Sequence, residues 1–345
     1  YKQINKEKKE KTKDMHLEVT EKKAGAFEIG LGYATDIGAR AFSELSYVNL
    51  WGTARSIKLR GEVNDLEKKV LLGYMEPWLL GKQMDGRINL LHQSTDKDSY
   101  DLKKDGLILG IDKQLSDFLE VSLQYEIDKN TYSNVQPGTT QAEGESTIAS
   151  LGPLLIRDSR DDPFNPVKGS VNLLRYELAK EAFASDEEFQ KMTAQSSWYK
   201  AITENSVGAV SLRGGYIDLL GSTTSIPIDK RFFLGGRTTV RGFRQDSIGP
   251  KNALGGAIGG EKMLNFNAEI RMRLIGNLGG LLFYDAGNVW ASDETARLSD
   301  MRTAAGVGLR YLTPVGPLSL EYGHKLDRKK DESAGEWYFT IGNIF

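Results

Sequence analysis

The sequence predicts an all-β protein in which sixteen antiparallel strands close into a transmembrane barrel, with a long loop between strands 11 and 12. Three observations predict it. From residue 26 onward, segments of about 10 residues alternate apolar and polar and end in turn residues, the period of a strand with one apolar face. No stretch approaches the roughly 18 to 20 apolar residues of a membrane helix; the longest runs, such as VLLGYM (70–75), are strand-sized. The faces opposite the apolar ones are rich in Lys, Glu, Gln and Arg, which a sandwich core would have to bury. Lipid outside and water inside satisfy both faces.

The elements follow in order. Residues 1–25 stand apart: NKEKKEKTKD is a charge run read as solvated, and MHLEVTEK (15–22) alternates like a short strand. In 26–35, Phe27, Ile29, Leu31 and Tyr33 share a face. Candidate strands 39–49, 53–63, 66–76 and 84–94 come next, with NDL (64–66) as a tight turn. The pattern repeats in 105–114 (Leu107, Leu109, Ile111) and 118–127 (Leu119, Val121, Leu123, Tyr125). After a long connection, 128–145, come 146–157, 168–180, 187–200 and 207–218. The longest connection, 219–261, precedes 262–274, 278–287 and 301–312; PVGP (314–317) then turns into 316–325, and 335–345 is last. Short turns on one rim and long loops on the other suit a membrane barrel, as do Trp51, Trp78, Trp198, Trp290 and Trp337 near segment ends as an interfacial girdle.

Composition narrows function. A formal net charge of −2 supplies no field for nucleic acid. The absence of cysteine excludes disulfides and thiolate metal sites. Three separated histidines match no zinc spacing, no G-x-S-x-G elbow occurs, and GLGYATDIG lacks the helix a dinucleotide fingerprint needs. No enzyme activity and no cofactor are expected.

The long connection holds RFFLGGRTTVRGFRQDSIGP (231–250), whose phenylalanines follow no strand or helix period. RFFLGGRTTVRGF resembles the signature of outer-membrane assembly factors of the BamA/TamA type, in which an RGF tip of the sixth extracellular loop folds back into the lumen. RDSRDDPFNPVKG (157–169), NAEIRMR (267–273), LFYDAGNVW (282–290), TPVGPLSLEYGHKLDR (313–328), WYFTIGNIF (337–345) and GLGYATDIG (30–38) resemble further family motifs, so the likeness runs from about residue 25 to the end. GYATDIG and the 231–250 stretch look nearer to TamA. The family carries POTRA domains ahead of the barrel; residues 1–25 are read as the end of one or a linker, and 26–345 as the barrel.

The resemblance implies that Arg241 anchors the loop, with Asp285 and Glu269 as its carboxylate partners. Alternation separately places Phe283 and Asp285 on the lumen side, because Leu282 and Tyr284 take the lipid side. Gly242 permits the turn and Phe243 packs on the inner wall. Asp158, Asp161 and Asp162, with Pro163, Pro166 and Gly169, could offer oxygens to a metal but are read as a structural turn. Gly30 and Gly32 in the first strand, with Gly342 and Phe345 in the last, mark a lateral seam that opens more easily than the other strand pairs. The implied function is insertion and folding of unfolded β-barrel clients in the bacterial outer membrane. The implied partners are those clients, the lipid bilayer and lipopolysaccharide, with a TamB-like inner-membrane partner or periplasmic lipoproteins; nucleic acid is not among them. The alternative is a two-partner-type polypeptide secretion pore, and a third class is a passive passenger barrel of the patatin-fused kind.

Overall fold

The computed structural model describes residues 23–139, 141–313 and 316–342. The expected short strand at 15–22, Pro314 and Val315 of the PVGP turn, and Phe345 lie outside the described residues. The strands are β1 (Gly25–Ala34), β2 (Gly38–Leu50), β3 (Arg55–Val63), β4 (Glu67–Glu76), β5 (Asp85–Asp96), β6 (Asp101–Ser116), β7 (Leu119–Ser133), β8 (Gly144–Asp158), β9 (Gly169–Ala179), β10 (Phe189–Thr203), β11 (Ser206–Leu219), β12 (Lys262–Ile275), β13 (Leu278–Trp290), β14 (Arg302–Thr313), β15 (Gly316–Lys325) and β16 (Gly335–Ile341). Each pairs antiparallel with its chain neighbours, and β1 meets β16, so the sheet is a closed sixteen-stranded barrel. Closure leaves no strand of the ring without a neighbour on either side.

Alternation sets the faces. In β1, Phe27, Ile29 and Leu31 are 61%, 66% and 76% exposed, and Val307, Leu309 and Tyr311 repeat the pattern in β14. This outward band meets hydrocarbon. The other face carries cross-strand ion pairs, including Arg40–Glu62 at 2.9 Å and Arg60–Glu44 at 3.1 Å, which water and opposite charge make tolerable there. At the tight turn after β3, the Asn64 side chain accepts the backbone N–H groups of Leu66 and Glu67, both at 2.9 Å.

Residues 220–261 join β11 to β12. Ile226, Phe232, Leu234, Val240, Phe243 and Ile248 from this segment are buried with Ile148, Phe189, Ile217, Met263 and Val289 of the strands. None of these wall residues belongs to the exposed band, so the segment packs inside the cylinder. Each fully buried Leu, Val or Phe there contributes on the order of 1.5–3 kcal/mol.

Three local expectations change. The rim that carries 220–261 also carries the short connections 35–37, 64–66 and 97–100, so loop length does not sort cleanly by rim. Connection 97–100 touches the long segment: Lys97 pairs with Asp246 at 2.6 Å and the Ser99 hydroxyl donates to the Ala257 carbonyl. Strands β6 and β7 run past the apolar alternation, because Asp101, Lys103 and Lys104 pair with Ser133, Thr131 and Asn130 as a polar extension beyond it. Trp290 is 4% exposed under the long segment and is no girdle residue, whereas Trp51, Trp78, Trp198 and Trp337 are exposed.

The outward band predicts that Val307→Arg destabilises the barrel by roughly 2–4 kcal/mol, as for a cation placed near the bilayer midplane. Urea folding titrations in lipid vesicles check this; an unchanged midpoint would place Val307 away from lipid.

Candidate functional site

Two places gather the sequence-singled residues: a buried arginine inside the barrel and the line where β1 meets β16. Alternation along β12, β13 and β15 builds the first. Glu269, Asp285 and Glu321 each occupy inward positions between outward apolar residues such as Ile270, Tyr284 and Leu320. The Arg241 side chain enters between them. Its Nε donates to Asp285 Oδ2 at 2.8 Å and its Nη2 to Asp285 Oδ1 at 3.0 Å, a bidentate fork. Its backbone N–H also donates to Asp285 Oδ2, at 3.0 Å. Nη1 donates to Glu269 Oε2 at 2.8 Å and to Glu321 Oε2 at 3.1 Å. The guanidinium lies 3.6 Å over the Phe283 ring.

Charge balance makes the burial tolerable. Arg271 pairs with Glu269 at 2.7 Å and Arg310 with Glu321 at 3.1 Å, so three guanidinium groups face three carboxylates. Burial opposes the Arg241 charge, yet its hydrogen bonds to Asp285 and the nearby Asp285, Glu269 and Glu321 hold its pKa above the ordinary arginine value. Arg241 is therefore a fixed cation.

The neighbouring tip residues are held just as closely. Gly242 has φ +96, and a Cβ there would lie 3.1 Å from the Ala304 Cβ and 3.2 Å from the Gly323 backbone. Only glycine fits that approach. The Gly242 N–H donates to the Tyr338 hydroxyl at 2.9 Å, which in turn donates to the Phe243 carbonyl at 2.7 Å. Tyr338 sits on β16, so the tip is tied to the last strand. Phe243 is 3% exposed, with Arg302 4.6 Å and Lys325 5.2 Å from its ring.

The sequence reading missed Glu321 and Tyr338. Alternation could have found the first, since Ser319 and Glu321 interleave with Leu318, Leu320 and Tyr322. Nothing local marks a tyrosine hydroxyl as the partner of a distant loop backbone.

At the second place, the described residues register β1 on β16 at Tyr33↔Ile341 and Ala34↔Thr340. Gly342 has φ +85, its N–H donates to the Pro317 carbonyl of β15 at 3.0 Å, and a Cβ there would lie 2.8 Å from the Leu31 carbonyl oxygen. A Cβ on Gly32 would lie 2.9 Å from the Ile341 oxygen. Gly30 differs: the Phe42 ring of β2 covers it, so it is a packing position on the far side of β1 from β16.

The remaining predicted residues form a turn between β8 and β9. Asp158 holds Arg160 through two contacts, 2.9 and 2.6 Å, and Arg160 also donates to the Pro163 carbonyl. Asp161 Oδ1 accepts the N–H groups of Asp162, Val167 and Lys168, which lower its pKa. Asp162 Oδ1 accepts those of Phe164 and Asn165. Pro166 is buried and Gly169 opens β9. Asp161 and Asp162 thus each commit one oxygen to backbone amides, and Asp158 faces the Arg160 guanidinium.

The profile of the Omp85 superfamily domain matches residues 49–345. An outer membrane protein assembly factor BamA from Nitratidesulfovibrio vulgaris is 24% identical over 98% of this chain and 44% of its own length. The chain thus spans less than half of that relative. The crystal structure of BamA from Haemophilus ducreyi lacking POTRA domains 1–3 superposes with a TM-score of 0.82 at 21% identity, covering 93% of this chain and 70% of that one. CdiB from Acinetobacter baumannii gives 0.59 at 13% identity, covering 92% and 59%.

Replacing Arg241 by Ala leaves three carboxylates facing two cations and removes about 3–5 kcal/mol of local pairing. The expected result is a folded, heat-modifiable barrel whose 226–248 segment becomes sensitive to protease; wild-type resistance would show that the contacts do not hold the segment.

Proposed function

The chain belongs to the Omp85 superfamily and is a bacterial outer-membrane β-barrel, and from that premise we propose that it inserts and folds β-barrel clients through the β1–β16 seam. The observation that carries this reading is the close backbone approach at that seam, where a Cβ on Gly32 would lie 2.9 Å from the Ile341 oxygen and one on Gly342 2.8 Å from the Leu31 oxygen. Phe27, Ile29 and Leu31 of β1 face the lipid, so the β1 edge that meets β16 lies at hydrocarbon depth and is exposed there when the seam parts. A backbone edge at that depth lacks water, and each unsatisfied amide there costs several kcal/mol. An unfolded client strand that adds to the edge satisfies those amides, which drives insertion without nucleotide hydrolysis.

In this reading Arg241, Gly242 and Phe243, held by Glu269, Phe283 and Asp285, keep the loop tip beside β16. Gly32 and Gly342 let the two backbones cross closely, and Phe345 belongs to the seam by its place in the terminal motif. Gly30 contributes through its packing with Phe42. Asp158, Asp161, Asp162, Pro163, Pro166 and Gly169 shape a turn and take no part in chemistry. The clients are outer-membrane β-barrels, and the outward band meets lipid and lipopolysaccharide. Residues 1–25 end a POTRA domain or linker ahead of the barrel. The subdivision toward TamA, with a TamB-like partner in place of lipoproteins, rests on the motifs at 30–38 and 231–250 alone; the assembly factors compared above are BamA proteins.

A secretion pore would need a path where Phe232, Leu234, Val240 and Phe243 are packed. Cysteines placed at Ala34 and Thr340, which are in register, can lock the seam in a chain with no other cysteine. Reconstituted in liposomes, the oxidised form is expected to stop client insertion and the reduced form to restore it. Full insertion with the crosslink formed would end the seam reading.

A further inference from the structure

The 220–261 segment meets the inner wall a second time, well before Arg241. Residues Ile228–Lys230 form a single 3-10 turn after Pro227. Ile228 is 1% exposed among Tyr100, Leu102 and Tyr132. The Tyr132 hydroxyl donates to Asp229 Oδ1 at 2.5 Å, and Lys104 of β6 lies 3.3 Å from Asp229 Oδ2. Lys230 Nζ lies 3.5 Å from Glu126 and 3.6 Å from Asp128, both on β7. From β10, Lys191 Nζ donates to the Lys230 carbonyl at 2.6 Å. The Gln141 side chain accepts the Ile228 N–H at 3.2 Å.

The cluster is closed in charge as well as in shape. Lys104 also pairs with Asp128, and Arg175 with Glu126 and Glu177. Lys104, Arg175, Lys191 and Lys230 thus face Glu126, Asp128, Glu177 and Asp229. Burial opposes the Lys230 charge, but the surrounding Glu126, Glu177, Asp229 and Asp128 more than offset it and raise its pKa. A buried ammonium with this many carboxylates is a fixed contact.

Strand order places this cluster across the cylinder from Arg241. In the ring of sixteen, β7 and β15 are eight strands apart, and Arg241 reaches Glu321 on β15. Between the two contacts the segment buries Phe232, Leu234 and Val240.

We propose that Asp229 and Lys230 are a second anchor, so that the 220–261 segment braces the barrel from β6, β7 and β10 to β12, β13 and β15. Asp229 and Lys230 are positioning residues: together with Arg241 they set where Gly242 and Phe243 meet Tyr338 of β16. Two tethers on one short segment raise each other's local concentration, so each holds the other in place. The use of the brace in client insertion rests on the reading above; the brace itself does not.

The test is limited proteolysis of the full chain in liposomes without client, on barrels first shown to be heat-modifiable. Lys230→Met is expected to speed cleavage between residues 231 and 240 roughly tenfold, and Lys230→Met with Arg241→Ala on the order of a hundredfold or more. Lys230→Arg should return cleavage to near wild-type rate. Tyr132→Phe, which removes only the hydroxyl on Asp229, should speed it a few-fold and covers the case in which Lys230→Met does not fold. Wild-type cleavage of both Lys230→Met and Tyr132→Phe overturns the anchor, as does a double variant no faster than Arg241→Ala alone. Lys230→Arg cleaved as fast as Lys230→Met likewise overturns it. Client insertion is scored separately, so loss of the insertion reading leaves the protease result standing.

Discussion

Inside hydrocarbon a backbone amide has no water to turn to, and the rest of this structure depends on that constraint. It forces the strands into a closed ring, because closure alone leaves no edge unpaired. It also gives the β1–β16 line its meaning. An under-paired edge in water would be a neutral detail. On the proposed reading a parted β1–β16 line in lipid is a free-energy deficit that another strand relieves, and at 32 and 342 the two backbones approach too closely for a Cβ.

The inner surface obeys a different rule. Water is admitted there, so charges are allowed, but wherever the 220–261 segment excludes water every charge has to be matched. Arg241 meets that requirement with Asp285, Glu269 and Glu321, whose surplus is balanced by Arg271 and Arg310. Lys230 meets it on β7. A neutral loop tip could slide on an apolar wall, because dispersion and burial have no direction. A guanidinium fork on a carboxylate has both distance and angle, so it fixes register.

How much of this was legible in the sequence follows from periodicity. The strands were readable because lipid imposes one apolar face on each, and Phe27, Ile29 and Leu31 in β1 carry that rule openly. The upper halves of β6 and β7 were not readable, since Lys103, Asn130 and Thr131 pair above the apolar band, where nothing enforces alternation. Inward placement of Asp285 followed from its neighbours Leu282 and Tyr284; Glu321 was missed, although the same rule applies to it. Trp290 was misplaced because the long segment covers its strand end, and a tryptophan at a strand end reads alike whether lipid or loop lies over it. Asp229 and Lys230 were invisible: they sit in an aperiodic stretch, and their partners Lys104, Glu126 and Asp128 are far away in sequence.

The tip and the seam share one residue, and that joins the two halves of the structure. Tyr338 lies on β16, two residues before the first seam pair, and its hydroxyl both accepts from Gly242 and donates to Phe243. Phenol offers one donor and can accept as well, so this hydroxyl is fully used by the loop backbone. Movement of β16 away from β1 therefore either breaks two buried hydrogen bonds or carries the tip along with it. The tip resists being carried, because Arg241 is forked onto β13 and Gly242 is packed against the Gly323 backbone of β15. β16 is thus held by the loop on its inner side as well as by β15 at its other edge. On the proposed reading the seam therefore parts as a separation of β1 from a stationary β16, which leaves the β1 edge, unrestrained by the loop, for the incoming strand.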